Sequence, residues 1–144
     1  MNFSSLASQC LGDAAAAAAF YRRAVDLEAE RADARRGLAE SLALLGRLPE
    51  AFAEFARVIE LEPENPVGHC ARGFARLQQA LGAADRERAL RQAESDFRAA
   101  LALDARAVDP YAGLALVELS RGRAPAALFR SDGRSHPRQR RGQG

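Results

Sequence analysis

Leu90, Ala93, Phe97 and Leu101 fall at spacings of three and four, which is one apolar stripe along a helix. Two earlier stretches carry the same kind of stripe. Ala17, Tyr21 and Ala24 match Ala51, Phe55 and Val58 at an offset of 34 residues. The segment from Ala32 to Asn65 is the most regular part of the chain and predicts a helix, a tight turn at Gly46, a second helix and an exit marked by Pro63. Polar punctuation agrees with this. Asn65 followed by Pro66 reads as a helix cap with proline at the first helical position, and Asp109-Pro110 repeats it. Pro49 and Pro125 open second helices in the same way.

Laid on a 34-residue frame that starts at Ala32, the chain repeats itself. One step back places a turn at Gly12, followed by the alanine run Ala14 to Ala19, a strong helix former. Forward, "GRLPEAF" from Gly46 returns as "GRAPAAL" from Gly122, at an offset of 76 residues, so an intervening unit carries eight extra residues. Two turns of 3.6 residues absorb about that many, so the extra residues are expected as one more turn on each helix. Gly82 is then the turn and Asp85 the cap of the next helix.

This pattern resembles the tetratricopeptide repeat, a helix-turn-helix unit with small residues at its eighth and twentieth places. Those places hold Ser5 and Ala17, Ala39 and Ala51, Gly73 and Ala93, then Ala115 and Ala127. The large residue at the twenty-fourth place is Tyr21, Phe55 and Phe97. Arg35 and His69 depart from the pattern, standing where a large apolar residue is usual at place four, whereas Tyr111 fits. The resemblance spans residues 1–130 and implies an all-α fold, a right-handed superhelical α-solenoid of helix-turn-helix repeats. The units are 1–31, 32–65, 66–107 with the insertion, and a partial unit 108–130, followed by a disordered basic tail at 131–144.

Charge and composition refine the picture. All 21 basic residues are arginine, and the net charge of +2 does not by itself imply a polyanionic partner. The tail residues Arg134, Arg138, Arg140 and Arg141 lack interleaved aromatics for stacking bases, so no nucleic-acid partner is expected. No apolar run has the length of a membrane span. The two cysteines, Cys10 and Cys70, are expected as free thiols in a cytoplasmic protein, and with His69 and His136 they do not form a metal signature. Cys70 and His69 are adjacent in sequence and diverge by about 100° on a helix, so they are not a nucleophile and its base. There is no phosphate-binding glycine loop. The reading is a non-enzyme without cofactor.

The resemblance implies a different site, a concave groove lined by the first helix of each unit that takes a peptide or helix of a protein partner. Its exposed places map to Asn2, Leu6 and Gln9, to Asp33, Arg36 and Glu40, to Cys70, Phe74, Leu77 and Gln78, and to Leu116 and Leu119. Phe3, Cys10, Gly37, Leu44, Val67, Asp109 and Ser120 fall on the same mapping. Family members that clamp a chaperone's C-terminal carboxylate use basic residues and asparagines at places where this chain has Asn2, Leu6, Gly37, Val67 and Ala71. None of these is basic, so chaperone-tail binding is not expected. The ends show no capping helix, which leaves as alternatives a structural array or one self-associating through uncapped ends, or a fragment of a longer repeat protein with a regulatory role.

Overall fold

The computed structural model describes the backbone of residues 3–122 and the side chains from residue 12 onward. Among the described residues the chain is all helical. Six helices follow in order: α1 (Phe3–Leu27), α2 (Ala32–Leu44), α3 (Leu48–Leu61), α4 (Pro66–Gly82), α5 (Arg86–Leu103) and α6 (Asp109–Ser120). Each packs chiefly on its neighbours in sequence, and α4 also touches α2 and α6. This is the contact pattern of stacked hairpins.

The turn glycines behave as repeated parts. Gly46 and Gly122 both have φ near +80° (82° and 83°), the left-handed conformation that ends a helix. At Gly46 the ending is complete: its N–H donates to the Ala43 carbonyl and the Arg47 N–H to the Leu42 carbonyl, at 3.0 and 2.9 Å. A Cβ at Gly46 would meet no neighbour, so Gly46→Ala isolates the backbone cost. It is expected to destabilise the protein by about 1 kcal/mol in chemical denaturation, with an unchanged denaturant slope.

The eight extra residues are shared equally. α4 and α5 have 17 and 18 residues, against 13 and 14 in α2 and α3. Gly82 is the last residue of α4 and, unlike Gly46, does not take a positive φ. Asp85 caps α5 by accepting from the Arg88 N–H at 3.2 Å, and Asn65 caps α4 by accepting from the Val67 N–H at 3.0 Å. At α6 the expected side-chain cap is not formed. The helix already includes Asp109, Pro110 lies in its first turn, and Val108 takes the cap position.

The turn expected at Gly12 is also not formed, since α1 runs through it as one helix of 25 residues. The physical difference lies in the residues that follow. Gly46 is followed by Pro49 three residues on, whereas Gly12 is followed by Asp13 and six alanines. A lone glycine costs a helix only about 1 kcal/mol, and alanine is the best continuation. The first half of α1 therefore continues the helix instead of folding back as a separate one. Pro125, Ala127, His136 and the basic tail lie outside the described residues.

The core has two parts. In one, Leu38, Ala39 and Leu42 of α2 meet Ala51 and Phe55 of α3, together with Ala18 and Ala75. In the other, Leu90, Ala93 and Phe97 of α5 meet Cys70 and Ala80 of α4 and Val117 of α6. Ala39, Ala51 and Ala93 have no exposed surface, which is what small residues at helix crossings provide. A second set of small residues receives the aromatics. A Cβ at Gly37 would overlap the Tyr21 ring, and one at Gly73 or Gly113 would overlap Phe97.

Of the two departures at place four, Arg35 is explained by its partners, whereas the buried Nδ1 of His69 has none among the described residues. Arg35 reaches Glu54 of α3 at 2.8 Å and donates to the Ala29 carbonyl at 2.7 Å, a polar substitute for an apolar contact. Beside His69, Arg72 grips the buried Asp96 carboxylate with two bonds of 2.8 and 3.1 Å. Arg76 approaches the same carboxylate at 2.9 Å and lies over the Phe52 ring, tying α3 to α4. Arg121 is not an ordinary surface residue as its position beside a turn suggests. It draws together Glu87 and Glu94 of α5, both at 3.0 Å, and Glu118 of α6.

Candidate binding face on the first helices

The α2, α4 and α6 helices form one row, with α4 touching both of the others. Most of the side chains expected in a groove project from this row. Two depressions lie between α2 and α4. The first, of about 480 Å³, opens near the helix starts and is lined by Asp33, Arg36, Glu62, Asn65 and Val67 among others. The second, of about 280 Å³, lies further along and is lined by Glu40, Leu44, Phe55, Ala71, Phe74 and Gln78. A third, of about 320 Å³, sits between α4 and the start of α6, with Val67, Cys70, Val108 and Asp109 on its wall.

The polar groups on this face are already positioned. Arg36 and Glu40 are one turn apart and pair at 3.3 Å, both part exposed. Such a pair contributes about 0.3–0.5 kcal/mol, so a ligand can exchange it at little cost. Asp33 pairs with Arg31 at 2.9 Å, and that hydrogen bond holds its carboxyl below the usual carboxylate range. Gln78 donates to the Ala43 carbonyl at 2.7 Å, which fixes α4 against α2.

The apolar groups divide into two sorts. Phe74 keeps 36% of its surface exposed while its ring stands at 71° to that of Phe97, with centroids 4.9 Å apart. Leu116 and Leu119 on α6 are 45% and 51% exposed. Leu77 is partly buried against the α4–α5–α6 core, and Cys70 belongs to that core. Burial, with Asp109 nearby, pushes the Cys70 thiol up to about 11, so the free side chain is held as the thiol at neutral pH. Burial, and then Arg72, lower the His69 pKa. Gly37 is buried beneath Tyr21 rather than open to the face. Asn2 and the side chains of Leu6 and Gln9 lie outside the described residues, and the helix holding Leu6 and Gln9 is not a separate first helix beside α2.

Several lining residues escape a mapping confined to first helices. Arg31, Glu62, Asn65 and Val108 stand in the turns between units and close the depressions at one end. The signal for them was the frame itself, since each lies within four residues of the start of a first helix.

Residues 11–73 match the tetratricopeptide repeat family model. This part of the chain is similar to that repeat. The match begins inside α1, takes in α2 and α3 and ends within α4, so the second half of α1 stands as the second helix of a repeat. No curated protein matches the chain. Tetratricopeptide repeats generally mediate protein–protein interaction and are typically non-catalytic. Among the described residues no cluster of three His, Cys, Asp or Glu could hold a metal ion, and no helix is long and apolar enough to cross a membrane.

Proposed function

We propose that the chain is a protein-interaction scaffold whose α2–α4–α6 face binds a segment of a partner protein, either extended or helical. The observation that carries this reading is the pair of depressions between α2 and α4, one edged by charge and the other holding the half-exposed Phe74 ring. Phe74 is the apolar anchor. Arg36, Glu40 and Asp33 set the register of the bound segment by charge and hydrogen bonding. Leu116 and Leu119 extend the apolar strip onto α6. A chaperone's C-terminal tail is not the expected partner, because the places that would clamp its carboxylate hold Asn2, Leu6, Gly37, Val67 and Ala71. The buried free thiol of Cys70 suits the reducing cytoplasm.

Phe74→Ala tests the anchor. The ring is shared between the face and Phe97, so the variant is expected to lose about 1 kcal/mol of stability from the aromatic pair. Its affinity for a peptide selected on the wild-type protein is expected to fall about tenfold or more. The same affinity in a folded Phe74→Ala protein would remove Phe74 from the site.

A further inference from the structure

The eight extra residues build a depression of their own. Counted from the start of α4 and the end of α5, the turns beyond the lengths of α2 and α3 are residues 79–82 and 86–89. The added turn of α5 is tied to α6, where Arg86 donates to the Ser120 carbonyl at 2.7 Å and Glu87 pairs with Arg121 at 3.0 Å. The same two added turns close a depression of about 390 Å³ against α3, lined by Phe52, Arg76, Gln79, Asp85, Arg88 and Gln92 among others. None of these residues lines the three depressions of the α2–α4–α6 face.

The polar groups gathered here are mostly donors that nothing engages. Arg76 and Gln79 are three residues apart on α4, and Arg88 and Gln92 four apart on α5, so each pair shares one helix face. Among the described residues the side chains of Gln79, Arg88 and Gln92 make no hydrogen bond or ion pair. Arg76 turns its Nε to Asp96 at 2.9 Å and stands over the Phe52 ring, 5.2 Å from its centroid. The one acid on the wall, Asp85, is engaged as the cap of α5 through the Arg88 backbone N–H. Arg72 offsets Asp96 behind Arg76. The wall is left with a balance of one positive charge, which matches a carboxylate better than the near-dianion of a phosphate group.

We propose that this depression is a second docking site, which takes the carboxylate of a Glu or Asp side chain from an acidic segment of a partner protein. The Arg88 guanidinium grips the carboxylate by charge-assisted hydrogen bonds. The Gln79 and Gln92 amides donate to its remaining lone pairs. Phe52 and Ala89 give the depression an apolar part for the carbon stem of the acid. The ties from Arg86 and Glu87 to α6 hold the added turn in place before a partner arrives, which lowers the ordering cost of binding. This proposal does not rest on the α2–α4–α6 face.

Peptides for the test are selected from a random library on the full chain carrying Arg36→Ala and Phe74→Ala, which removes the main contacts of the other face. Their affinities are then measured on the wild-type chain. The recovered peptides are expected to share an Asp or Glu, and changing that acid to its amide is expected to weaken binding at least about tenfold. Arg88→Gln, at an exposed position, is expected to leave helix content unchanged and to weaken binding by a similar factor. On that variant the change from acid to amide has little further effect, because the two changes remove one contact. Inorganic phosphate at about 10 mM and constant ionic strength is expected to leave the affinity within about twofold. Recovery of no peptide, peptides without a shared acid, or an affinity unchanged by Arg88→Gln would overturn the proposal. Displacement of the peptide by phosphate would overturn it too, by assigning the depression to a phosphate group.

Discussion

Phe97→Ala is expected to destabilise the array by about 3–5 kcal/mol and to lower its melting temperature by about 10–20 °C. Phe97 is fully buried and sits in a slot made by two glycines, Gly73 of α4 and Gly113 of α6. It also makes an edge-to-face pair with the Phe74 ring. Three helices therefore depend on one side chain. With the ring removed, neither glycine has a side chain to collapse into the space, so most of the cavity persists. Leu101→Ala, on the same helix but only half-buried, is the matched control and is expected to cost clearly less. Thermal and urea denaturation of the two variants make the comparison. Equal losses would mean that the slot is not the keystone of the α4–α5–α6 core.

Asp96→Ala is expected to cost about 2–3 kcal/mol. The carboxylate is 5% exposed by residue and holds Arg72 and Arg76 at 2.8 and 2.9 Å. Its removal leaves two guanidiniums of α4, one turn apart, side by side at the α4–α5 crossing without the carboxylate that held them. A fully buried pair costs about 3–5 kcal/mol to break. Here the arginine side chains keep 23% and 21% of their surface, so water screens part of the loss. If unpaired charge is the cause, adding Arg72→Met to Asp96→Ala recovers part of the stability. Additive losses in the double variant, measured by urea denaturation, would instead assign the effect to packing.

These two positions also show what sequence reading can and cannot reach. Gly46 and Gly122 were legible because a left-handed turn demands glycine and the following proline fixes the phase. The extra turns of α4 and α5 were legible because an insertion of eight residues preserves helical phase only when split that way. The Gly12 turn was misread for the converse reason. A glycine alone does not stop a helix when alanines follow it. Arg35 and Arg121 gave no sign of their partners, since Glu54 lies 19 residues from Arg35 and Glu87 lies 34 from Arg121, one repeat length. On the proposed binding face, repeat position does not foresee that Gly37 receives Tyr21, or that Cys70 turns inward, because these depend on the side chains of the neighbouring unit.

The pairing of small residues with aromatics is a second-order pattern that the frame does contain. Tyr21 over Gly37 and Phe97 over Gly113 occupy the same two repeat places. Phe55 and Ala71 hold those places in the middle units, within one core cluster. The stack is thus held from unit to unit by one aromatic in one small-residue seat.

The most direct test of the binding face uses a peptide selected from a random display library on the full chain and fitted with a photo-crosslinker. The account predicts crosslinks to Arg36, Glu40, Phe74 or Gln78, lost when Arg36→Ala and Phe74→Ala are combined. Crosslinks confined to the outer faces of α3 and α5, and unchanged in that double variant, would contradict it.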